Sequence, residues 1–132
     1  MASKGRPYRS IVVEGYEVLI GKGAEENDVL SLQVAEPNDV WLHVAGGVPG
    51  SHVVIRNPEH TKVPAAVIEQ AAAHAAWYSK SRGSPRVEVH VCAARDVSKP
   101  KGAPAGRVHI RNFSALKVKP APVASADGEA QG

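Results

Sequence analysis

An acid, an indole and an imidazole occupy three alternate positions near the start of the segment from Asn38 to Arg56. Asp39, Trp41 and His43 share one face if this segment is extended, because side chains alternate between the two faces of a strand. The residues between them are apolar and would face a core. An exposed indole can stack on a nucleobase, which is worth about 1–3 kcal/mol. The pattern therefore predicts an exposed platform, with Asp39 and His43 supplying or orienting hydrogen bonds.

A second interpretation of the same residues is structural. Trp41 would then fill the core of a half-buried strand, and Asp39 would cap the turn that follows Asn38. Residue spacing alone does not distinguish a platform from a core strand, so the sequence leaves both interpretations open.

A glycine-rich turn follows this strand from Gly46 to Gly50, and a second short strand begins at Ser51 and His52. Glycines allow the backbone to approach a ligand closely, and exposed amides can form a site for a phosphate. Ser51 and His52 would complete such a site. The alternative is a hairpin turn in which glycine supplies positive φ angles, and the sequence favours neither.

A loop further along the chain is rich in positive charge. Five basic residues and one acid lie within 17 residues, and Pro100 and Pro104 stiffen the same stretch. Such a loop is typical of an edge that follows a phosphate backbone, although a solvated loop is the alternative. The basic residues are Arg95, Lys99, Lys101, Arg107 and Arg111.

Catalytic and metal-binding motifs are absent from the sequence. None of the six histidines forms a pair at the four-residue spacing of a helical zinc site, and no Gly-x-Ser-x-Gly motif occurs. Ser51 and His52 are adjacent, so on a strand they point to opposite faces, which argues against a nucleophile–base pair between them. The single Cys92 cannot form an internal disulfide. We therefore predict no catalytic residue, no metal and no cofactor.

The elements that position these residues are predicted to form an α+β fold. Gly15 separates two β-branched runs, which predicts a hairpin. A short helix is expected at about 24–35, with Asp28 as its cap, and a long helix at about 64–81, opened by Pro64 and carrying a stripe of alanines. Alternating residues from Val87 onward predict further strands. The order favours a mostly antiparallel sheet with the long helix packed on one face.

Length and composition agree with one domain. The chain has 132 residues and a formal net charge of +3, which permits a nucleic-acid partner without requiring one. No run approaches the roughly 18 apolar residues of a membrane span, so we expect a cytoplasmic protein. We predict a flexible N-terminus at 1–7, a domain at 8–120 and a disordered tail at 121–132.

The segment "DVWLHV…GVPGSHVVIR" resembles the signature of the NFACT-R domain. That domain forms the C-terminal part of the ribosome-quality-control NFACT proteins and also occurs alone as a short bacterial protein. The resemblance extends over about Tyr8 to Pro120 and includes "VSKPKGAPAGRVHI". Family members usually have Lys-Pro-Lys-Gly followed by Pro-Gly, and here Ala105 interrupts the second dipeptide.

This resemblance implies a non-catalytic RNA-binding domain that engages tRNA or large-subunit ribosomal RNA in translation or ribosome rescue. With the patterns above, it gives a set of expected RNA contacts: Asp39, Trp41, His43, Ser51, His52, Arg56, Lys99, Lys101 and Arg107.

Two rival functions stay open at this point. One is a small enzyme acting on nucleic acid or a nucleotide through Asp39, His43 and His52. The other is a protein-interaction module that docks on a ribosomal protein through Trp41. The sequence does not indicate an oligomeric state.

Overall fold

The computed structural model describes residues 5–123. The flexible segment predicted at 1–7 therefore lies mostly outside the described residues, and so does the tail predicted at 121–132. Within the described range, no helix is long and apolar enough to cross a lipid bilayer.

Most of the strands form one antiparallel sheet, which confirms the predicted α+β class. The described residues contain eight strands: β1 (Tyr8–Val13), β2 (Tyr16–Gly21), β3 (Val40–Val44), β4 (Val53–Ile55), β5 (Val87–Ala93), β6 (Val97–Ser98), β7 (His109–Ile110) and β8 (Ser114–Val118). Six of them form the main sheet in the order β1-β2-β4-β3-β5-β8, while β6 and β7 form a separate two-stranded ribbon. All of the pairings are antiparallel.

The predicted hairpin at Gly15 is confirmed. Val13 pairs with Tyr16, and the two residues between them both have positive φ, 48° at Glu14 and 89° at Gly15. Two consecutive positive φ angles are the signature of a type I′ turn, whose twist matches that of the paired strands.

The long helix α2 (Ala65–Trp77) covers one face of the sheet. Its alanine stripe is fully buried, because small side chains let a helix lie close against a sheet: Ala71, Ala72, Ala75 and Ala76. The helix ends at Trp77, four residues before the predicted 81. Tyr78 leaves the helical conformation, and the Tyr78 carbonyl accepts a hydrogen bond from the Ser51 amide at 2.9 Å. Pairing with the glycine-rich loop thus replaces the last helical turn.

A second layer covers the opposite face, at the β3–β4 centre of the sheet. The predicted short helix consists of α1 (Ala24–Val29) and a π-helical segment (Leu30–Val34). Gly23, and not Asp28, is the N-cap, because the helix begins earlier than the apolar residues suggested. This layer and the β6–β7 ribbon enclose a second, smaller core around Trp41, with Leu19, Leu30, Val54 and Cys92.

Candidate nucleic-acid interface

Trp41 is a core residue, so the expectation of an exposed platform was wrong. Its side chain is only 2% exposed, between the sheet and the π-helical segment. The indole Nε1 donates a hydrogen bond to Ser31 Oγ at 2.8 Å. The alternative interpretation, in which Trp41 fills a core, is the one that the structure supports.

His52 is buried beside Trp41 and held by hydrogen bonds at both ring nitrogens. Its Nε2 lies 3.1 Å from the Gly106 carbonyl, which can only accept, so Nε2 carries a proton. Its Nδ1 lies 2.7 Å from Ser31 Oγ. Because Ser31 Oγ already accepts from the indole, it donates to Nδ1. This arrangement suits a neutral ring and leaves neither nitrogen free for RNA.

Asp39 organises the loops at the far end of β3 and does not orient His43. The carboxylate is 2% exposed and lies 2.8 Å from Arg56 Nε. It also accepts hydrogen bonds from the backbone amides of Glu36, at 2.9 Å, and Asn57, at 2.7 Å. Asp39 and Arg56 are thus brought together as an internal pair, away from His43. An RNA contact through either side chain stays a prediction that this geometry does not favour.

The basic loop folds back onto α1 instead of extending as a free edge. Lys99 Nζ is 2.9 Å from Asp28 Oδ2 and donates to the carbonyls of Pro104, at 2.6 Å, and Arg107, at 3.0 Å. An ammonium group has three hydrogens, so Lys99 has none left for a phosphate. Lys99 ties the loop down, and its predicted RNA contact is not supported.

Two successive turns shape this loop and explain its sequence. Ala103 N donates to Pro100 O and Arg107 N donates to Pro104 O, both at 3.1 Å. The third residue of each turn is a glycine with positive φ, 80° at Gly102 and 85° at Gly106, as a type II turn requires. The inserted Ala105 therefore makes the second turn equivalent to the first, Pro-x-Gly in both. Lys101 is exposed at the first turn.

A groove of about 950 Å³ lies beside the buried indole. Its floor is a row of imidazoles across the sheet: His43 pairs with His90 on β5, and the His43 and His52 rings are 4.9 Å apart. The glycine-rich loop, the chain after α2 and the loop around Arg107 form its walls. Of the predicted contacts, it collects Trp41, His43, Ser51, His52 and Arg107, and not Asp39, Arg56, Lys99 or Lys101.

The charge of the groove has one sign. Four basic side chains line it, and no described lining residue is acidic: Lys22, Lys80, Arg82 and Arg107. Trp77 also lines it, half-buried, with the Arg82 guanidinium 5.0 Å from its ring centroid. A concave surface with several cations, an indole and imidazoles is suited to a polyanion that carries aromatic bases.

Five cationic, indole or imidazole side chains of the groove were not among the predicted contacts: Lys22, Trp77, Lys80, Arg82 and His90. A signal was present in "WYSKSRG", where an aromatic pair is followed by two bases in a polar stretch. Helical spacing instead places this stretch at the end of the helix predicted at about 64–81. Only the early end of α2 turns this stretch toward the glycine-rich loop, where the Lys80 amide donates to Pro49 O at 2.9 Å.

Burial keeps His43 and His52 neutral near neutral pH. It lowers the pKa of His43 to about 4, with a smaller contribution from His90 and a partial offset from a hydrogen bond to the Gly50 backbone. Burial and then the neighbouring His43 lower the pKa of His52 to about 3. Near neutral pH His43 and His52 therefore add no positive charge to that of the lysines and arginines in the walls.

These lowered pKa values predict a loss of stability in acid. An unfolded histidine has a pKa of about 6.5. Below that pH, His43 and His52 bind protons in the unfolded chain but stay unprotonated in the folded chain. The contribution of the neutral His43 to the free energy of unfolding is fully present above about pH 6.5, and it is lost as the pH falls toward 4. Denaturant unfolding across this range, for the parent and His43→Gln, measures it. We expect a shallower decline in the variant, and parallel curves would contradict the assignment.

Close backbone packing holds the rim of the groove. Asn27 is buried, accepts a hydrogen bond from the His52 amide at 3.1 Å, and donates to Gly50 O at 3.2 Å. A Cβ placed on Gly21 would lie only 1.9 Å from Asn27 Oδ1. The glycine at position 21 is therefore what allows Asn27 to bridge α1 and the glycine-rich loop.

Gly21→Ala is expected to lower the free energy of unfolding by about 1–3 kcal/mol, because the added methyl group displaces the Asn27 side chain. Gly83→Ala serves as the matched control, since a Cβ there meets nothing within 4 Å. Thermal and denaturant melting of both variants measures the difference. Equal stability of the two would show that Asn27 does not need this space.

The geometry does not support the rival enzymatic interpretation. Of its three proposed groups, Asp39 and His52 are committed to internal contacts, and only His43 lines the groove with atoms toward solvent. Cys92 is also unsuited to nucleophilic chemistry, because burial raises the pKa of its thiol to about 12.

Comparison with known proteins places this architecture among RNA-binding domains. A family model described as the NFACT protein RNA binding domain matches residues 7–112. The Rqc2 homolog RqcH of Bacillus subtilis is 37% identical over 122 residues, covering 89% of this chain and 21% of that protein. Ribosome quality control complex subunit 2 of Saccharomyces cerevisiae is 32% identical over 109 residues, covering 75% of this chain and 10% of that protein.

The fold has also been observed experimentally in a relative. The solved structure of the C-terminal part of the fibronectin/fibrinogen-binding protein of Streptococcus suis is 32% identical to this chain, with a TM-score of 0.80. The match covers 93% of this chain and 48% of the Streptococcus suis chain in that structure. The chain thus spans about a fifth of the length of its bacterial RqcH relatives.

Proposed function

The chain belongs to the family of NFACT RNA-binding domains, and from that premise we propose that it binds RNA in the groove bounded by Trp77, Arg82 and Arg107. In this proposal the lysines and arginines of the walls contact phosphates. His43 and His90, on the floor, contact bases or riboses. In this proposal the domain acts by binding RNA and not by catalysis.

One observation supports this proposal above the others: the described lining of the groove contains four permanent cations and no carboxylate. Two cations outside this lining are instead paired with carboxylates, Arg56 with Asp39 and Lys99 with Asp28. A concave surface of one sign attracts a polyanion and raises its local concentration. The groove is thus the surface of this domain where we expect the strongest electrostatic attraction for an RNA backbone.

The RqcH and Rqc2 relatives suggest the context in which the RNA is met. Their names connect them with ribosome quality control, so we propose tRNA or large-subunit ribosomal RNA as the partner, in the cytoplasm. The chain spans only a fifth of the RqcH proteins, so activities of their other parts are not attributed to it.

Binding of RNA by the parent protein at a series of salt concentrations tests the proposed function. Each phosphate contact releases counterions, and the logarithm of the association constant falls by about 0.7–0.9 for each tenfold rise in salt and each contact. Four groove cations in contact with phosphates would give a slope of about −3. Absence of RNA binding at low salt, or binding that does not change with salt, would reject the proposal.

A further inference from the structure

The only phenylalanine of the chain lies on the surface and outside both cores. Phe113 precedes β8 at an edge of the main sheet and is 47% exposed. A single exposed apolar side chain is common in proteins and needs no explanation. Phe113 differs because its ring lies 4.5 Å from the ring of His90, tilted by 37°. His90 lines the groove, and Phe113 does not, so the Phe113 ring lies beside the groove floor, toward the edge of the sheet.

A second, smaller cleft of about 430 Å³ extends the groove in the same direction. It shares Ala45, Gly46 and His90 with the first cleft and adds Arg86. The path from the first cleft to the second therefore passes over His90, beside the stacked Phe113 ring. Glu88 is the one acidic residue on this part of the path, and its carboxylate lies 3.5 Å from His90 Nε2.

We propose that Phe113, supported by His90, is a stacking platform for an unpaired base, and that the groove takes a single-stranded RNA segment in preference to a duplex. This inference deepens the proposed function and rests on it. A ring that is exposed on one side and backed by another ring can take a base by stacking only if that base is free of its neighbours. In a duplex the bases are stacked internally and present only their edges, so the ring would find no partner.

The charge distribution favours a nucleic acid over a protein as the occupant. The walls that lead to Phe113 carry Lys80, Arg82 and Arg86 within a short stretch, which suits a backbone with one phosphate for every base. An apolar partner surface would leave these charges desolvated without partners.

The inference is tested with two labelled RNAs, an unstructured oligonucleotide and a blunt duplex of the same sequence. Each is titrated with the parent protein and with Phe113 variants. We expect the single strand to bind the parent more tightly than the duplex. Phe113→Ala should weaken binding of the single strand by about 5- to 150-fold and leave the duplex unchanged. Phe113→Trp should bind like the parent, whereas Phe113→Leu, which is apolar without a π face, should bind like the alanine variant.

The matched control is Val12→Ala, which removes an apolar side chain, 60% exposed, from the opposite edge strand of the sheet. It should bind both RNA forms like the parent, and melting curves on the same samples confirm that each variant is folded. Two results would overturn the stacking platform and leave the proposed function standing. One is equal binding of the two RNA forms by the parent, and the other is a Phe113→Leu variant that binds like the parent. Failure of both RNA forms to bind the parent would overturn the proposed function itself.

Discussion

Trp41→Ala is expected to lower the free energy of unfolding by about 3–5 kcal/mol, the usual cost of removing a buried large aromatic ring. Trp41 is the largest fully buried side chain of the described residues and the centre of the second core. Its loss would also leave Ser31 Oγ without the donor that orients it toward His52. Denaturant unfolding of the purified variant measures the effect.

RNA affinity of the folded fraction distinguishes this role from a platform role. Because the indole is 2% exposed, a folded Trp41→Ala protein should bind RNA almost like the parent at a temperature where both are native. Trp41→Phe should be less damaging to stability, since a ring remains, although the hydrogen bond to Ser31 and part of the buried volume are lost. A Trp41→Ala protein that is as stable as the parent but has lost RNA affinity would show that the indole contacts RNA after all.

The double variant Lys80→Glu with Arg82→Glu is expected to reduce RNA affinity by about two to four orders of magnitude at low salt. Charge-assisted hydrogen bonds contribute about 1.5–3 kcal/mol each, and both side chains line the groove. The loss of two phosphate contacts should also flatten the dependence of affinity on salt by about 1.5 units. Titration of the same RNA at several salt concentrations gives both values.

A control variant with the same change in net charge distinguishes an effect of the groove cations on RNA affinity from an effect of the protein's net charge. Lys62→Glu with Arg95→Glu reverses two exposed cations that do not line the groove. This control should bind with nearly the parental salt dependence. If both double variants lose the same affinity, the RNA responds to net charge and not to this groove.

The fold followed from the sequence wherever local patterns decide it. Alternating valines, the turn at Gly15 and the alanine stripe of α2 each specify an element and its buried face without reference to distant residues. The end of α2 could not be predicted this way, because the hydrogen bond that replaces its last turn comes from Ser51, a residue distant in the chain.

The site was harder to predict because the sheet is covered on both faces. An alternating strand normally implies one buried and one exposed face, and so Asp39 and Trp41 were expected on a surface. The layer that buries Trp41 is built from α1, the π-helical segment and the loop between β6 and β7, which lies far from them in the chain. No short-range sequence pattern predicts that contact. His43 reaches the groove because it lies at the end of β3, beyond the reach of this layer.

Positive charge in the sequence was likewise an incomplete guide. Lys99 and Lys101 stand two residues apart in the same loop, yet Lys99 is held by Asp28 and two carbonyls while Lys101 is exposed. Which lysine is free depends on a carboxylate from α1, and that pairing exists only in the folded chain.

Nuclear magnetic resonance of the labelled protein, titrated with RNA, tests the central claim most directly. If the groove binds RNA, the imidazole signals of His43 and His90 and the indole signal of Trp77 should shift together on the first additions of RNA. The signals of Glu69 and Gln70, exposed on the outer side of α2, should stay in place. Shifts confined to the outer side of α2 or to the Lys101 turn, with the groove signals unmoved, would contradict the account.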